Sequence, residues 1–540
     1  MFHCRLQKIR PRGSLLWVQF DTATPAIRFG VWSSAFRQSV ALLTLDRVNA
    51  ELQTVAMSRC ARLLWLALGF AGSLFAISAG AQSSAAPYPY ATNRPSILLI
   101  VADDLGYGEL GCYGQTQIKT PNLDKLAAQG MRFTSCYAGS PLSAPSRAAL
   151  MTGKHTGHTS IRDDGNYSLL PEDVTVAQLL KSVDYSTGVL GEWGLGGQGS
   201  AGTPLRKGFD EWFGILNLAD AQNHYPEYLD RTSIEQKEPE RNLEVTENLN
   251  GQKGKFSDDY FSEAALNFLR VKKPVWYLHY KPFFLYLPYT IPRSNNLLAA
   301  KTGNGVEAPE DAPYSNENWP QPEKAEAALI TRLDRYVGAL MDKLVEQKID
   351  QNTIVIFTSA TGPHHEGGVD PQFFHATGPF RDIQGDLYEG GIRVPLIVSW
   401  PAKIQPGSTS DLPCALWDFL PTATQVAKRL APTDIDGISL LPTWLGQTQT
   451  KQHDFLYWEV HEGGFKQAVR MGDWKALRLG VDGPLELYDL KTDPGEKNNV
   501  AAKNPGVIAH IQDYLKTART DDKDWPVKTT AETPKREFGQ

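Results

Sequence analysis

Ser143-Ala144-Pro145-Ser146-Arg147-Ala148-Ala149-Leu150-Met151-Thr152-Gly153 is a short polar run that meets a proline and continues as a helix-prone segment. The first turn of a helix accepts proline because the missing N–H has no partner there anyway. Ser143 therefore falls at or just before a helix N-terminus, where free N–H groups and the positive end of the dipole favour an anion. Arg147 lies one turn on, on the face of Ser143, and adds a fork of donors. A hydroxyl, an anion seat and an arginine together suit attack on a sulfate or phosphate ester. The same stretch also reads as a capped helix carrying a surface arginine.

Working outward, Ile97-Leu98-Leu99-Ile100-Val101-Ala102 is continuously apolar and ends in Asp103-Asp104. A run without alternation marks a strand buried on both faces, as in a parallel α/β sheet. Ligands of such sheets gather at the carboxyl ends of strands, so two carboxylates there suggest a hard cation such as calcium. Capping of a loop or of the next helix is the alternative. Phe283 to Leu287 and Thr353 to Ser359 read as further buried strands. Pro121 to Gln129 reads as a short helix stopped by Gly130, and residues 323–348 as an amphipathic helix.

These landmarks resemble the type I, formylglycine-dependent sulfatases, from about Arg94 to Val500. Their signature is Cys or Ser, any residue, Pro-Ser-Arg, then a helix ending Leu-x-Thr-Gly; here it is of the serine type and arylsulfatase-like. The resemblance implies an alkaline-phosphatase-like α/β fold, with a mixed, mostly parallel sheet flanked by helices and a smaller C-terminal antiparallel subdomain. It implies conversion of Ser143 to formylglycine, which is both nucleophile and ligand of the cation. It also implies Asp103 and Asp104 as metal ligands and Arg147 as a sulfate-binding residue.

Elsewhere the chain departs from the family pattern. Val189-Leu190-Gly191-Glu192-Trp193-Gly194 carries Glu192 where the family has a sulfate-binding lysine, and Gln384 takes the place of the second lysine. Gln222 and Arg293 stand at histidine positions. Ala360 and Thr361 replace the Asp-Asn that completes the metal shell. The framework around each change stays family-like, so the losses fall on the chemistry. His155, His224, His364 and Arg293 are the candidate substitutes if activity is retained. Without a cation, Asp103, Asp104 and Glu192 repel one another, which predicts a raised pKa for at least one.

The leading expectation is thus a sulfatase-fold pseudoenzyme. The alternative is an active hydrolase of aryl or carbohydrate sulfate esters, using calcium and formylglycine at Ser143. A weaker third option is another hydrolase of the alkaline-phosphatase superfamily. A sulfated small molecule or glycan is the ligand class that follows from the resemblance; the natural ligand and the oligomeric state are not legible.

Length and composition agree. The chain has 540 residues, is 41% hydrophobic and carries a net charge of -6, enough for a large domain and a smaller one and no pointer to nucleic acid. Five cysteines lack metal-type spacing, and a Cys112–Cys136 disulfide is one option. Residues 57–81 read as a signal peptide: a basic head, an apolar run from Leu63 to Ala79 and a small-residue cleavage site. A transmembrane anchor is the alternative, but the run is short and lacks a charged stop, so no stable span is expected after signal removal. Translation starting at Met57 implies a periplasmic or extracellular protein and makes residues 1–56 a spurious extension. Residues 82–93 then form a linker, 94–445 the catalytic-type domain, 446–520 the C-terminal subdomain and 521–540 a loose tail.

Overall fold

The structure, a computed structural model, describes residues 15–20, 27–32, 94–233, 241–272 and 281–527. The chain divides into two units, Met1–Ala86 and Pro87–Gln540. In the first, strands Leu15–Phe20 and Ile27–Trp32 pair antiparallel. The expected signal peptide and linker, and the tail beyond residue 527, lie outside the described residues.

The second unit is built on a ten-stranded sheet. Its strands in chain order are β1 (Ser96–Asp103), β2 (Met131–Phe133), β3 (Ser186–Glu192), β4 (Glu211–Ile215) and β5 (Tyr228–Ser233), then β6 (Arg241–Glu244), β7 (Phe283–Pro292), β8 (Thr353–Ser359), β9 (Leu396–Ser399) and β10 (Ser408–Ser410). Their order across the sheet is β10-β2-β9-β8-β1-β7-β3-β4-β5-β6. The central run β8-β1-β7-β3-β4 is parallel throughout. Antiparallel strands flank it at β9 and β5. Every residue of β1, β7 and β8 is buried, as their continuous apolar sequences require. Each large aliphatic side chain so buried contributes about 1.5–3 kcal/mol.

Helices cover the sheet. Helix α1 (Pro121–Gln129) and α3 (Ser257–Val271) both pack against α4 (Gln321–Glu346). Helix α2 (Ser143–Thr152) is buried along its whole length and packs against α5 (Phe419–Val426). It starts at Ser143, so Pro145 is its third residue, within the first turn as expected. Proline is tolerated there because that N–H is also among the four without a partner.

A separate antiparallel sheet follows: β11 (Leu456–Val460), β12 (Lys466–Met471), β13 (Trp474–Leu479) and β14 (Leu485–Asp489). Helix α6 (Pro505–Leu515) comes after it. This sheet is the smaller antiparallel subdomain that the resemblance implies. Within this unit the small sheet braces the approach to α2, because Trp458 Nε1 donates to Ala138 O at 2.9 Å. Lys475, fully buried, pairs with Glu389 and Glu496 at 3.0 Å each.

The Cys112–Cys136 disulfide does not form. Cys136 instead stands opposite Cys414 in a short parallel pair, and Cys112, Cys136 and Cys414 are free thiols. Among the described residues no helix is long and apolar enough to cross a membrane.

Candidate active site

Parallel strands deliver their carboxyl ends to one edge of the sheet, and the candidate residues arrive there in strand order. Ala360 and Thr361 follow β8, Asp103 ends β1 with Asp104 after it, Arg293 follows β7, and Glu192 ends β3. Helix α2 brings Ser143 and Arg147 to the same edge. Asp104 adopts a left-handed backbone with φ 65°, a turn that Asp tolerates better than most residues.

Two acids and two arginines close into a ring. Arg147 Nη2 lies 3.1 Å from Asp103 Oδ1 and 2.7 Å from Glu192 Oε2. Arg293 Nη1 lies 2.8 Å from Glu192 Oε1, and Arg293 Nη2 pairs with Asp103 Oδ2. The four formal charges cancel. Ser143 Oγ donates to Asp103 Oδ1 at 3.0 Å and accepts from Arg293 Nη2 at 2.8 Å. Asp104 Oδ1 accepts from Thr361 Oγ1 at 2.7 Å and from Gln384 Nε2 at 2.6 Å. The ring is sealed: Arg293, its most exposed member, is 6% exposed. Gly194, with φ 73°, makes the close approach possible, since a Cβ there would lie 2.9 Å from Leu218 and 3.4 Å from Arg147 Nη1.

The anion seat at the start of α2 is also taken. Asp164 Oδ1 accepts from Ala144 N at 2.7 Å and its Oδ2 from Ser143 N at 3.4 Å. Sequence reading missed Asp164; the Asp163-Asp164 pair was the available signal, but nothing in it gives the distance to α2.

Burial pushes the Asp103 and Asp104 carboxyls above the usual range, with Arg293 opposing at both and Arg147 at Asp103. The expected rise is therefore present, but its main cause is burial and not mutual repulsion. Both arginines stay charged, because Glu192 and Asp103 outweigh the burial that disfavours their cations.

The sequence model of the Sulfatase family matches residues 95–430. The chain belongs to the sulfatase family. A second model, N-sulphoglucosamine sulphohydrolase, C-terminal, matches residues 384–521. The chain is 31% identical to N-acetylgalactosamine-6-sulfatase of Canis lupus familiaris over 81% of this chain and 80% of that protein. It is 31% identical to arylsulfatase A of Homo sapiens over 78% of this chain and 86% of that protein. Among solved structures, Ps i-CgsB in complex with k-i-k-neocarrahexaose matches with a TM-score of 0.66 and 28% identity, covering 81% and 96% of the two chains.

Sulfatases generally use formylglycine and a divalent cation, and the residues here do not fit that cation. Ala360 offers no side-chain oxygen, and its carbonyl accepts from Ser146 Oγ at 2.5 Å. Thr361 and Gln384 spend hydrogen-bond donors on Asp104. The guanidinium of Arg293 lies between the carboxylates that a cation needs. Arg293 therefore brings a positive charge into the centre, paired with Asp103, Asp104 and Glu192.

The histidine candidates divide. His155 is remote from the ring, stacked on His158 at 4.4 Å and tilted against Tyr457. Its Nδ1 accepts from Gly157 N at 3.2 Å, which leaves Nε2–H toward Asp436 Oδ1 at 3.5 Å; the unit is a hydrogen-bonded brace and not a substitute catalyst. His364 is buried beside the site, with Nδ1 accepting from Glu366 N and Nε2 near Pro292 O and Glu326. His224 is buried with neither ring nitrogen hydrogen-bonded, and feels Glu307, Arg293 and Glu192. Burial lowers its pKa to about 4, which favours the neutral ring. Gln222 is half-buried and makes no hydrogen bond to the ring.

Proposed function

We propose that this chain is a sulfatase-family protein whose centre does not hydrolyse sulfate esters, and whose role is non-catalytic recognition. The observation that carries this reading is the closed ring of Asp103, Arg147, Glu192 and Arg293. Every group that could hold an ester anion already holds a carboxylate of the protein: Arg147 and Arg293 hold Glu192 and Asp103, and the start of α2 holds Asp164.

Magnitudes point the same way. An ester charge about 4 Å from Glu192 costs about 4 kcal/mol at an effective dielectric of about 20. Each lost anion-stabilising donor costs roughly 10²–10³ in rate, and each lost acid or base roughly 10²–10⁴. Such losses are not additive, but several together leave little catalysis. Ser143 Oγ is engaged on both sides, donating to Asp103 and accepting from Arg293.

The relatives carry sulfated sugars in their names. A sulfated glycan is accordingly the first ligand class to try, at surfaces outside the sealed centre. Export rests on residues 57–81, and the antiparallel sheet that begins at Leu456 supports a division at about residue 446.

The test is direct. Protein made in a host with a serine-type maturase is incubated with 4-nitrophenyl sulfate and with sulfated oligosaccharides, and the Ser143 peptide is weighed by mass spectrometry. Unmodified serine and no sulfate release are expected. Turnover that disappears in Ser143→Ala would falsify the reading and restore the active alternative, formylglycine with a divalent cation.

A further inference from the structure

We propose that Arg293 is a tethered replacement for a divalent cation, and that Asp103 and Asp104 form a latent cation site held shut by its guanidinium. The inference rests on the reading of the centre as non-hydrolytic, and goes further by saying what was exchanged.

Topology makes the exchange available. Strand β7 lies between β1 and β3, and Pro292 is paired with Asp103. The next residue therefore emerges between the Asp pair on one side and Glu192 on the other. An arginine at this position reaches both without any change of backbone. Asp103 Oδ2 and Asp104 Oδ2 are the oxygens that matter. Neither has a hydrogen-bond donor of good geometry, and the ionic partner of each is Arg293. Asp104 Oδ2 sits at 3.6 Å from Nε. Two buried carboxylate oxygens turned toward one point, with hydrogen-bond donors kept to their other oxygens, is an arrangement suited to a cation. Here the point is filled by a side chain.

Charge accounts for the partner change at Glu192. A guanidinium supplies one positive charge where a divalent ion supplies two, but it also presents a fork of donors on two edges. Nη2 serves Asp103 and Ser143, Nη1 serves Glu192, and Nε faces Asp104. A lysine at position 192 would face Arg147 and Arg293 in a sealed space, so the acid there is the complement of the arginine. The two departures from the family pattern are one coupled change.

With Arg293 removed, Asp103, Asp104 and Ser143 Oγ offer three oxygens, and water can complete a calcium shell of six to eight. The site would be weak, because Ala360 and Thr361 contribute no carboxylate or amide oxygen. The experiment measures thermal unfolding of chelator-treated full-length protein with and without millimolar calcium chloride. Wild type and Arg293→Lys are expected to show no shift. Arg293→Ala is expected to gain about 2 °C or more with calcium. The gain should vanish when Asp103→Asn is added. If Arg293→Ala alone does not fold, Arg293→Ala/Glu192→Gln removes the excess negative charge and carries the same expectation.

A calcium shift of equal size in wild type overturns the proposal. So does an arginine-free variant that folds without any calcium response, or an Arg293→Ala/Glu192→Gln protein that stays unfolded with and without calcium, since the ion must be able to take over the charge. Turnover of an aryl sulfate by wild type that shows no calcium response sinks only the non-hydrolytic reading and leaves this one standing.

Discussion

Glu192, the last residue of β3, and Arg293, the first after its neighbour β7, meet carboxylate to guanidinium at 2.8 Å, with both side chains buried. Removing one partner of such a pair strands the other charge without solvent. Glu192→Gln should therefore lower unfolding stability by about 3–5 kcal/mol, and Glu192→Lys, the return to the family residue, by at least as much. Urea unfolding monitored by tryptophan fluorescence measures both. A stable Glu192→Lys protein would mean that the ring is not closed in solution.

Position 384 should behave in the opposite way. Gln384 is half-buried and gives one hydrogen bond to Asp104. Gln384→Ala is expected to cost about 1 kcal/mol. Gln384→Lys places an ammonium against a carboxylate whose nearest charge partner, Arg293 Nε, is 3.6 Å away, so it should be neutral or stabilising in the same unfolding assay.

Restoring the missing metal residues alone should not restore activity. Ala360→Asp with Thr361→Asn adds a carboxylate and an amide oxygen, but Arg293 still fills the space between the acids. The double variant is expected to release no 4-nitrophenol from the aryl sulfate. Measurable activity should require Arg293→His and Glu192→Lys in addition, and activity in the double variant would contradict this account.

His155 makes acid stability testable. Burial lowers its pKa from 6.5 to about 4, against the pull of Asp436. The ring is neutral in the fold but takes a proton near 6.5 once unfolded. Its contribution, up to about 3 kcal/mol, is full above pH 6.5 and is lost as pH falls toward 4. The stability of His155→Gln should decline less steeply across that window, and an NMR titration should find the His155 midpoint near 4.

Lys475 tests how the small sheet is held. It is wholly buried between Glu389 and Glu496 at 3.0 Å. Against the effect of its burial, Lys475 and Arg393 hold the Glu389 carboxyl down at about 2. Lys475→Met leaves two buried acids side by side and should cost about 3–5 kcal/mol by urea unfolding. A loss below about 1 kcal/mol would show that water reaches this pair.

The fold was largely legible from periodicity. Strand β8 and helix α1 fall on the residues where the sequence places them, because unbroken apolar runs and a Pro-to-Gly helix leave few other options. Strand β13 is less legible, because Trp474 to Leu479 has neither an unbroken apolar run nor a strict alternation. Of the candidate residues, Ser143, Arg147, Asp103, Asp104, Glu192, Arg293, Thr361 and Gln384 do converge. His155 does not, since its place is set by α2 running away from the sheet edge toward Trp417 and Tyr457.

The sequence by itself determined that Asp103, Glu192, Arg293, Ala360 and Thr361 reach the carboxyl edge of the sheet, since each follows or ends a strand whose apolar run fixes its place. Only the tertiary structure decided which of them meet there. Strand order is set by long-range pairing that no local pattern encodes, and it is this order, with β7 between β1 and β3, that puts the Arg293 guanidinium among Asp103, Asp104 and Glu192.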